Sequence, residues 1–201
     1  ALICCENGGL IGALCAAVAA HEGGHLLLIR LWGGRVEQLT LGLGGMDIRY
    51  TCPRASYPKD AWIALAGPGA NLLCCLLCAA PAQRLENEGL YLFLGCSGLL
   101  CLFNLLPALP LDGGRALYAL ARTAQRRAKM LTALIGCGYA LAIALTAVAL
   151  VGWARTGTMN LAILLPAVFL AASGSRERRN AALGVAEALS ERMRPERGTL
   201  Q

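Results

Sequence analysis

The chain has 201 residues, of which 57% are hydrophobic and only 15% are charged, and this balance indicates an integral membrane protein. Its formal net charge of +6 suggests a nucleic-acid partner only if the basic residues form a patch on a soluble domain. They instead flank long apolar stretches, so we expect no nucleic-acid partner.

Five stretches are long and apolar enough to be membrane helices. A helix needs roughly 20 apolar residues to cross a hydrocarbon core of about 30 Å. The predicted spans are 7–29 (within a helix over 7–31), 61–80, 89–109, 130–153 and 156–175. We therefore predict an all-α polytopic membrane protein of about five to six transmembrane helices, with a core over 1–175 and a tail over 176–201.

Basic residues are distributed unequally between the two sides that five alternating spans define. The side on which the first span ends receives 16 Lys and Arg residues, and the other side receives only Arg84 and Arg155. Since cytoplasmic loops are enriched in Lys and Arg, the basic loops and the C-terminus are predicted to be cytoplasmic, in a multi-pass cell-membrane protein.

The first span contains the motif His21-Glu22-Gly23-Gly24-His25. Two histidines four residues apart lie on one face of a helix, so both imidazoles can reach one metal ion with Glu22 beside them. The alternative is two structural histidines near a helix end. Ionisable groups at this depth are costly and are rarely kept without a task, which favours the metal site.

Residues 35–50 change to an alternating pattern on both sides of Gly44-Gly45, which predicts a β-hairpin. The hairpin is either an ordinary solvated one or an exposed strand edge near the membrane that pairs with an extended peptide. The pattern favours neither.

The second span contains Gly67-Pro68-Gly69-Ala70-Asn71, which we expect to loosen or kink the helix. Asn71 is a polar amide at membrane depth. An interhelical hydrogen bond is the simpler explanation for it, and contact with substrate or with the metal site is the functional one.

The third predicted span ends in Asn104-Leu105-Leu106-Pro107-Ala108-Leu109-Pro110-Leu111-Asp112-Gly113-Gly114. The prolines should break the helix and present Asp112 at roughly the depth of the histidines, on the same side of the membrane. The alternative role for Asp112 is an N-cap of a basic interfacial helix beginning at Gly113.

Two histidines and one carboxylate leave one position open on a tetrahedral zinc ion, which is the arrangement of catalytic sites. Glu22, next to His21, is then the candidate general base that takes a proton from the activated water.

The His21–His25 motif and the Asn104–Gly114 segment together resemble the two motifs of the site-2 proteases, the intramembrane zinc metalloproteases. The resemblance is greatest to the stage IV sporulation protein FB branch. The resemblance implies one zinc ion per chain bound by His21, His25 and Asp112, with Glu22 as general base of a metalloendopeptidase. It also implies that Asn71 and Asn104 line the site, holding substrate or stabilising the oxyanion.

We expect three departures from the family pattern. The span before the HEGGH helix is absent or reduced to residues 1–5, no PDZ-like insertion is present, and no regulatory nucleotide-binding domain follows the last span. The expected substrates are membrane-tethered proteins in the lipid bilayer, such as a sigma-factor precursor, or remnants of other membrane proteins. An inhibitory membrane-protein partner is left open.

Two other functional classes remain open. A metal or proton transporter could use the same buried residues, although the chain shows no sign of two matching halves. An inactive relative could bind membrane proteins without cleaving them.

The remaining features carry no chemistry. The ten cysteines lack a zinc-finger spacing and are interpreted as packing residues. Residues 176–194 predict an amphipathic helix that either lies on the cytoplasmic leaflet or is solvated, ending at Pro195.

Overall fold

The computed structural model describes residues 2–42, 45–52, 57–158 and 161–193, with side chains described for 8–38, 48–52, 58–158 and 161–179. These residues form six helices and one two-stranded antiparallel sheet. The elements are α1 (Leu2–Leu31), β1 (Arg35–Gly42), β2 (Gly45–Thr51), α2 (Tyr57–Leu85), α3 (Glu88–Asn104), α4 (Asp112–Leu120), α5 (Ala124–Thr156) and α6 (Leu161–Met193). The predicted helical architecture with a small hairpin is confirmed.

Helices occupy all five predicted spans, but their lengths differ from the prediction. Three segments within the described residues are long and apolar enough to cross a membrane: Gly8–Leu31, Pro58–Leu85 and Ala124–Thr156. Helix α3 is apolar but only 17 residues long. The apolar start of α6 continues without a break past residue 175 into the predicted tail, so span and tail form one helix. The number of spans therefore stays a prediction.

Glycine and proline explain two of the shifted boundaries. The third span was predicted to reach residue 109, but α3 ends at Asn104, because Pro107 and Pro110 lack the N–H groups that a continuing helix needs. The fifth was predicted from residue 156, but Thr156 still belongs to α5. Gly157 then adopts a φ of +68°, the left-handed conformation that terminates many helices.

One other sequence interpretation is corrected. Residues 1–5 are expected to be separate from the first span, whereas α1 runs continuously from Leu2. Helix α2 is assigned without a break from Tyr57 to Leu85, and the loosening or kink expected at Gly67–Asn71 stays a prediction. The predicted helix end at Pro195 lies outside the described residues.

The hairpin has the predicted antiparallel pairing, from Arg35 opposite Thr51 to Gly42 opposite Gly45, and one register shift lies between Val36 and Gln38. The two residues of its turn, including Gly44, lie outside the described residues.

The base of the hairpin is joined to the helices on either side of it. The Tyr50 hydroxyl donates a 3.1 Å hydrogen bond to Asp60 at the start of α2. The Cys52 thiol lies 3.5 Å from the carbonyl oxygen of Trp32, just after α1. Burial, followed by the negative charge of Asp60, raises the pKa of the Tyr50 phenol above its usual range. These contacts fix where the hairpin leaves the helices.

The chain divides into two compact units at Cys137/Gly138. In the first, α2 contacts α1, α3 and α4. The contact between α2 and α4 is made by small residues: Ala61, Ala64, Ala116 and Ala119. Alanine allows two helices to approach closely, so α4 is held against the helix that also packs on α1.

In the second unit, Tyr139 of α5 meets the middle of α6. Its hydroxyl lies 3.0 Å from the Ser175 hydroxyl, and the Arg178 guanidinium lies 5.7 Å from the centre of its ring. Gly174 provides the room for this ring, because a Cβ at that position would lie 3.1 Å from it.

Candidate metal centre

The two histidines of α1 lie side by side in the interior of the first unit. His21 is 6% exposed and His25 is 8% exposed, whereas the positions of α1 directly beside and between them are half-buried or exposed. Their ring centroids are 5.0 Å apart, with the ring planes nearly perpendicular. The four-residue spacing on a helix produces this arrangement, as the sequence predicts.

Asp112 completes a three-residue cluster with them. Its Oδ2 atom lies 2.9 Å from Nε2 of His21 and 3.4 Å from Nε2 of His25, and the residue is 7% exposed. Asp112 is the first residue of α4 rather than its cap, since the N-cap is Leu111. The cap role considered for Asp112 is therefore wrong, and its carboxylate points to the histidines.

The basic helix predicted over residues 113–129 is also interrupted. It ends at Leu120, and α5 begins anew at Ala124. The Thr123 hydroxyl accepts a 3.3 Å hydrogen bond from the Arg126 backbone N–H, as an N-cap does. Helix α4 is therefore short, and its first turn is what carries Asp112.

Gly113 and Gly114 allow α4 to begin so close to the preceding turn. A Cβ at Gly113 would meet the carbonyl oxygen of Leu105, and one at Gly114 would lie 2.6 Å from the carbonyl carbon of Ala108. Only glycine fits at both positions, so the Gly-Gly pair holds Asp112 against the backbone that follows α3.

His25 has its ring orientation fixed by the backbone of α2. Its Nδ1 atom lies 2.7 Å from the carbonyl oxygen of Ile63. A carbonyl oxygen can only accept, so Nδ1 carries a proton and Nε2 is the ring nitrogen directed at Asp112. A metal-ligating histidine commonly has this second contact.

Gly67 lets α2 pack directly against the two imidazoles. A Cβ at this position would overlap Nε2 of His25, and would lie 2.7 Å from its Cε1 atom and 2.8 Å from Nε2 of His21. Only a residue without a side chain therefore allows this close approach to the ring nitrogens that face Asp112.

Gly24 brings α1 close to α2 beside the cluster. A Cβ there would overlap the carbonyl oxygen of Ala66 and would lie 2.7 Å from the Ala70 methyl group. By contrast, a Cβ at Gly23 would meet nothing within 4 Å. Of the two glycines inside the motif, Gly24 is the one that permits close helix packing.

The two predicted asparagines differ in their placement. Asn71 is completely buried, with Nδ2 3.3 Å from Nδ1 of His21. Asn104 donates a 3.1 Å hydrogen bond to the carbonyl of Leu100 in its own helix. Among the described hydrogen bonds none joins Asn104 to the cluster, so its role toward substrate stays a prediction.

Glu22 is half-buried and follows His21 directly in the chain. Its carboxylate interacts electrostatically with the imidazole of His25. The candidate general base therefore lies at the edge of the cluster rather than inside it.

The donor set fits a zinc ion. One oxygen and two nitrogen ligand atoms lie within 4.8 Å of one another, and this is the only such group found among the described residues. Zinc in catalytic sites takes three protein ligands of these types and keeps one position open. Gly67 presents no side chain to these nitrogens, and a Cβ there would overlap one of them.

Sequence reasoning missed two contributors to this site. Gly67 stands in the segment noted for its glycines and proline, which was a usable signal for close approach. The carbonyl of Ile63 had no signal, because a backbone oxygen is present at every residue and only the packing of α2 on α1 selects this one.

Comparisons with known proteins agree with the motifs. No family model matches the chain. The chain is 34% identical over 123 residues to a Synechocystis protein named as a zinc metalloprotease, covering 56% of this chain and 31% of that protein. It is 27% identical over 172 residues to a zinc metalloprotease of Methanocaldococcus jannaschii, covering 83% of this chain and 48% of that protein.

A solved structure shares the fold. A site-2 protease from Methanocaldococcus jannaschii superposes with a TM-score of 0.67 at 23% identity, covering 84% of this chain and 77% of that one. The chain spans less than half the length of the curated relatives that it matches. These findings support the resemblance to the site-2 protease family: the chain has the fold of a site-2 protease and resembles zinc metalloproteases in sequence.

Proposed function

We propose that this protein is an intramembrane zinc metalloendopeptidase that hydrolyses peptide bonds of membrane-associated proteins. The observation that carries the proposal is the cluster itself. Two histidines of one apolar helix and an aspartate 91 residues from His21 bring their ligand atoms within 4.8 Å of one another. The metalloprotease names of the similar proteins support the same class.

The residues are assigned as follows. His21, His25 and Asp112 hold one zinc ion per chain. Zinc bound there acts as a Lewis acid that polarises the peptide carbonyl and makes water more acidic. Glu22 takes a proton from the attacking water and delivers it to the departing amine nitrogen. The water oxygen bonds to the carbonyl carbon, the C–N bond breaks, and no covalent enzyme intermediate is needed.

A site of this kind needs an irregular backbone within apolar surroundings. The turn at residues 105–111 provides it, because unpaired backbone groups are tolerated at membrane depth only where protein buries them or a cavity holds water. The substrate must likewise unwind locally before its amide can be reached. The free edges of the β1–β2 hairpin are proposed to hold such an extended segment.

We further propose the orientation and substrate class. The excess of Lys and Arg places the basic loops in the cytoplasm of a multi-pass protein, so cleavage takes place on the cytoplasmic side of the bilayer. The Asn104–Gly114 segment supports an affinity with the sporulation branch of the family. A membrane-tethered sigma-factor precursor is therefore the first substrate to test.

The test compares the wild type with Glu22→Gln, co-expressed in membranes with such a precursor, and measures cleavage and zinc content for both. We expect the variant to keep zinc and lose cleavage. Glu88→Gln makes the same chemical change at an exposed position of α3 and should cleave like the wild type.

The remaining outcomes separate the alternatives. Zinc without cleavage in the wild type would support an inactive relative or a different substrate. Transport of metal across the membrane would support a transporter. A wild-type protein that binds no zinc would refute the proposal.

A further inference from the structure

We propose that Asn71 is a positioning residue for His21: its amide oxygen accepts a hydrogen bond from Nδ1 of the zinc-ligating ring and thereby selects the tautomer that binds metal. The inference deepens the proposed function, since it rests on the zinc site. It gives Asn71 a task distinct from holding substrate or stabilising an oxyanion.

The contact is built into the interior of the first unit. Asn71 has no exposed surface, and its side-chain nitrogen lies 3.3 Å from Nδ1 of His21. Among the described residues, its buried amide oxygen has no hydrogen-bond partner. Leaving a buried acceptor without a partner is unfavourable, so an unused acceptor next to a ring nitrogen needs an explanation.

The two histidines differ in what faces their Nδ1 atoms. His25 faces the carbonyl of Ile63, which only accepts, so its Nδ1 keeps a proton and Nε2 is the atom available to a metal. His21 faces an amide, which offers a donor at one end and an acceptor at the other. The tautomer of His21 therefore depends on which end Asn71 presents.

The contacts of His21 in the structure are consistent with one tautomer. Nε2 of His21 lies 2.9 Å from Oδ2 of Asp112 and donates its proton to that carboxylate. Nδ1 is then the acceptor, and the Asn71 amide donates to it from Nδ2. A ring that carries its proton on Nε2 cannot bind metal through that atom.

Metal binding requires the other arrangement. With Nε2 of His21 used as a ligand, the ring of neutral His21 carries its proton on Nδ1 and needs an acceptor there. A half-turn of the Asn71 amide about its Cβ–Cγ bond places Oδ1 against Nδ1. Its oxygen, for which the described residues offer no other hydrogen-bond partner, then accepts from the ring.

The first test measures zinc affinity by competition with a chelator on the purified full chain. Asn71→Leu removes both amide ends at similar size, and we expect affinity to fall about 10- to 100-fold, as for other outer-shell partners. Asn71→Asp keeps an acceptor and removes the donor, and we expect affinity to stay within about threefold of the wild type.

Ser97→Ala is the matched control. Ser97 is also completely buried, and its hydroxyl also lacks a partner, but it lies in α3. We expect Ser97→Ala to bind zinc like the wild type. Equal losses in Asn71→Asp and Asn71→Leu, or no loss in Asn71→Leu, would overturn the proposal.

A second test needs no substitution and so does not depend on the folding of a variant. The chain contains only two histidines, so labelling histidine with ¹⁵N reports four ring nitrogens. In the zinc-loaded wild type we expect both Nδ1 atoms to carry a proton and neither Nε2 to do so. An unprotonated Nδ1 on His21 in the loaded protein would overturn the assignment.

The two proposals fail differently. A wild type that binds no zinc contradicts the proposed function. A wild type that binds zinc with His21 in the other tautomer contradicts only the role of Asn71.

Discussion

Gly67→Ala tests whether zinc binding depends on the close approach of α2 to the two imidazoles. The added methyl carbon would overlap Nε2 of His25 and would lie 2.8 Å from Nε2 of His21, closer than non-bonded atoms approach. Forcing a methyl group into a packed interior costs about 1–3 kcal/mol. If that cost falls on the metal-bound state, it corresponds to zinc affinity lowered roughly 5- to 150-fold, since 1.4 kcal/mol is a factor of ten.

The control for this substitution lies two residues further along the same helix. Gly69→Ala adds the same methyl group where nothing lies within 4 Å, and alanine favours a helix over glycine by about 1 kcal/mol. Zinc affinity would be measured by chelator competition on the full-length wild type and both variants, with thermal unfolding of the metal-free proteins recorded alongside.

We expect Gly69→Ala to bind zinc as the wild type does and to unfold at the same or a higher temperature. Equal zinc affinity in Gly67→Ala would refute the reasoning, because the methyl group would then have found room among the imidazoles. A lowered unfolding temperature without any change in affinity would contradict it as well, by placing the clash in helix packing alone.

Three further substitutions test other contacts of the fold. Gly24→Ala should lower the unfolding temperature because its methyl group meets α2, whereas Gly23→Ala should not; equal effects would contradict the close packing there. Asp112→Asn should reduce bound zinc below one per chain, because a neutral amide is a poor zinc ligand, while Asp60→Asn should leave zinc content unchanged. Tyr50→Phe should cost about 1 kcal/mol of local stability, seen as faster hydrogen exchange in β2. Because the pKa of Tyr50 is raised in the folded protein, the unfolded chain loses the proton first; stability should fall above about pH 10 in the wild type and less in Tyr50→Phe.

Much of the architecture was predictable because it depends on short-range patterns. Apolar length places the helices, and alternation around Gly-Gly places the hairpin. The prolines after Asn104 end α3, as expected. The predictions fail at helix boundaries, because a single residue can end a helix. Gly157 separates α5 from α6, and the break after Leu120 divides the basic segment that the sequence predicts as one helix.

The pair of asparagines shows the limit of motif reasoning at the site. Both stand in segments that resemble one family, and both were expected to line the site on that basis. The structure joins Asn71 to His21, whereas Asn104 donates to its own helix. The motifs could not distinguish them, because the direction of a side chain depends on how its helix is rotated against its neighbours.

The amino-acid sequence alone determines that the chain is a helical membrane protein and that His21 and His25 share one helix face, because helical periodicity and apolar length act locally. It also indicates Asp112 as their partner, because Asp112 is predicted on the same side of the membrane and at about the same depth as the two histidines. Only the tertiary structure decides that Asp112 lies 2.9 Å from His21, that the Ile63 carbonyl orients His25, and that Gly67 lets α2 pack against both imidazoles. Those contacts depend on the packing of α1, α2 and α4, which is set by small residues distant in sequence.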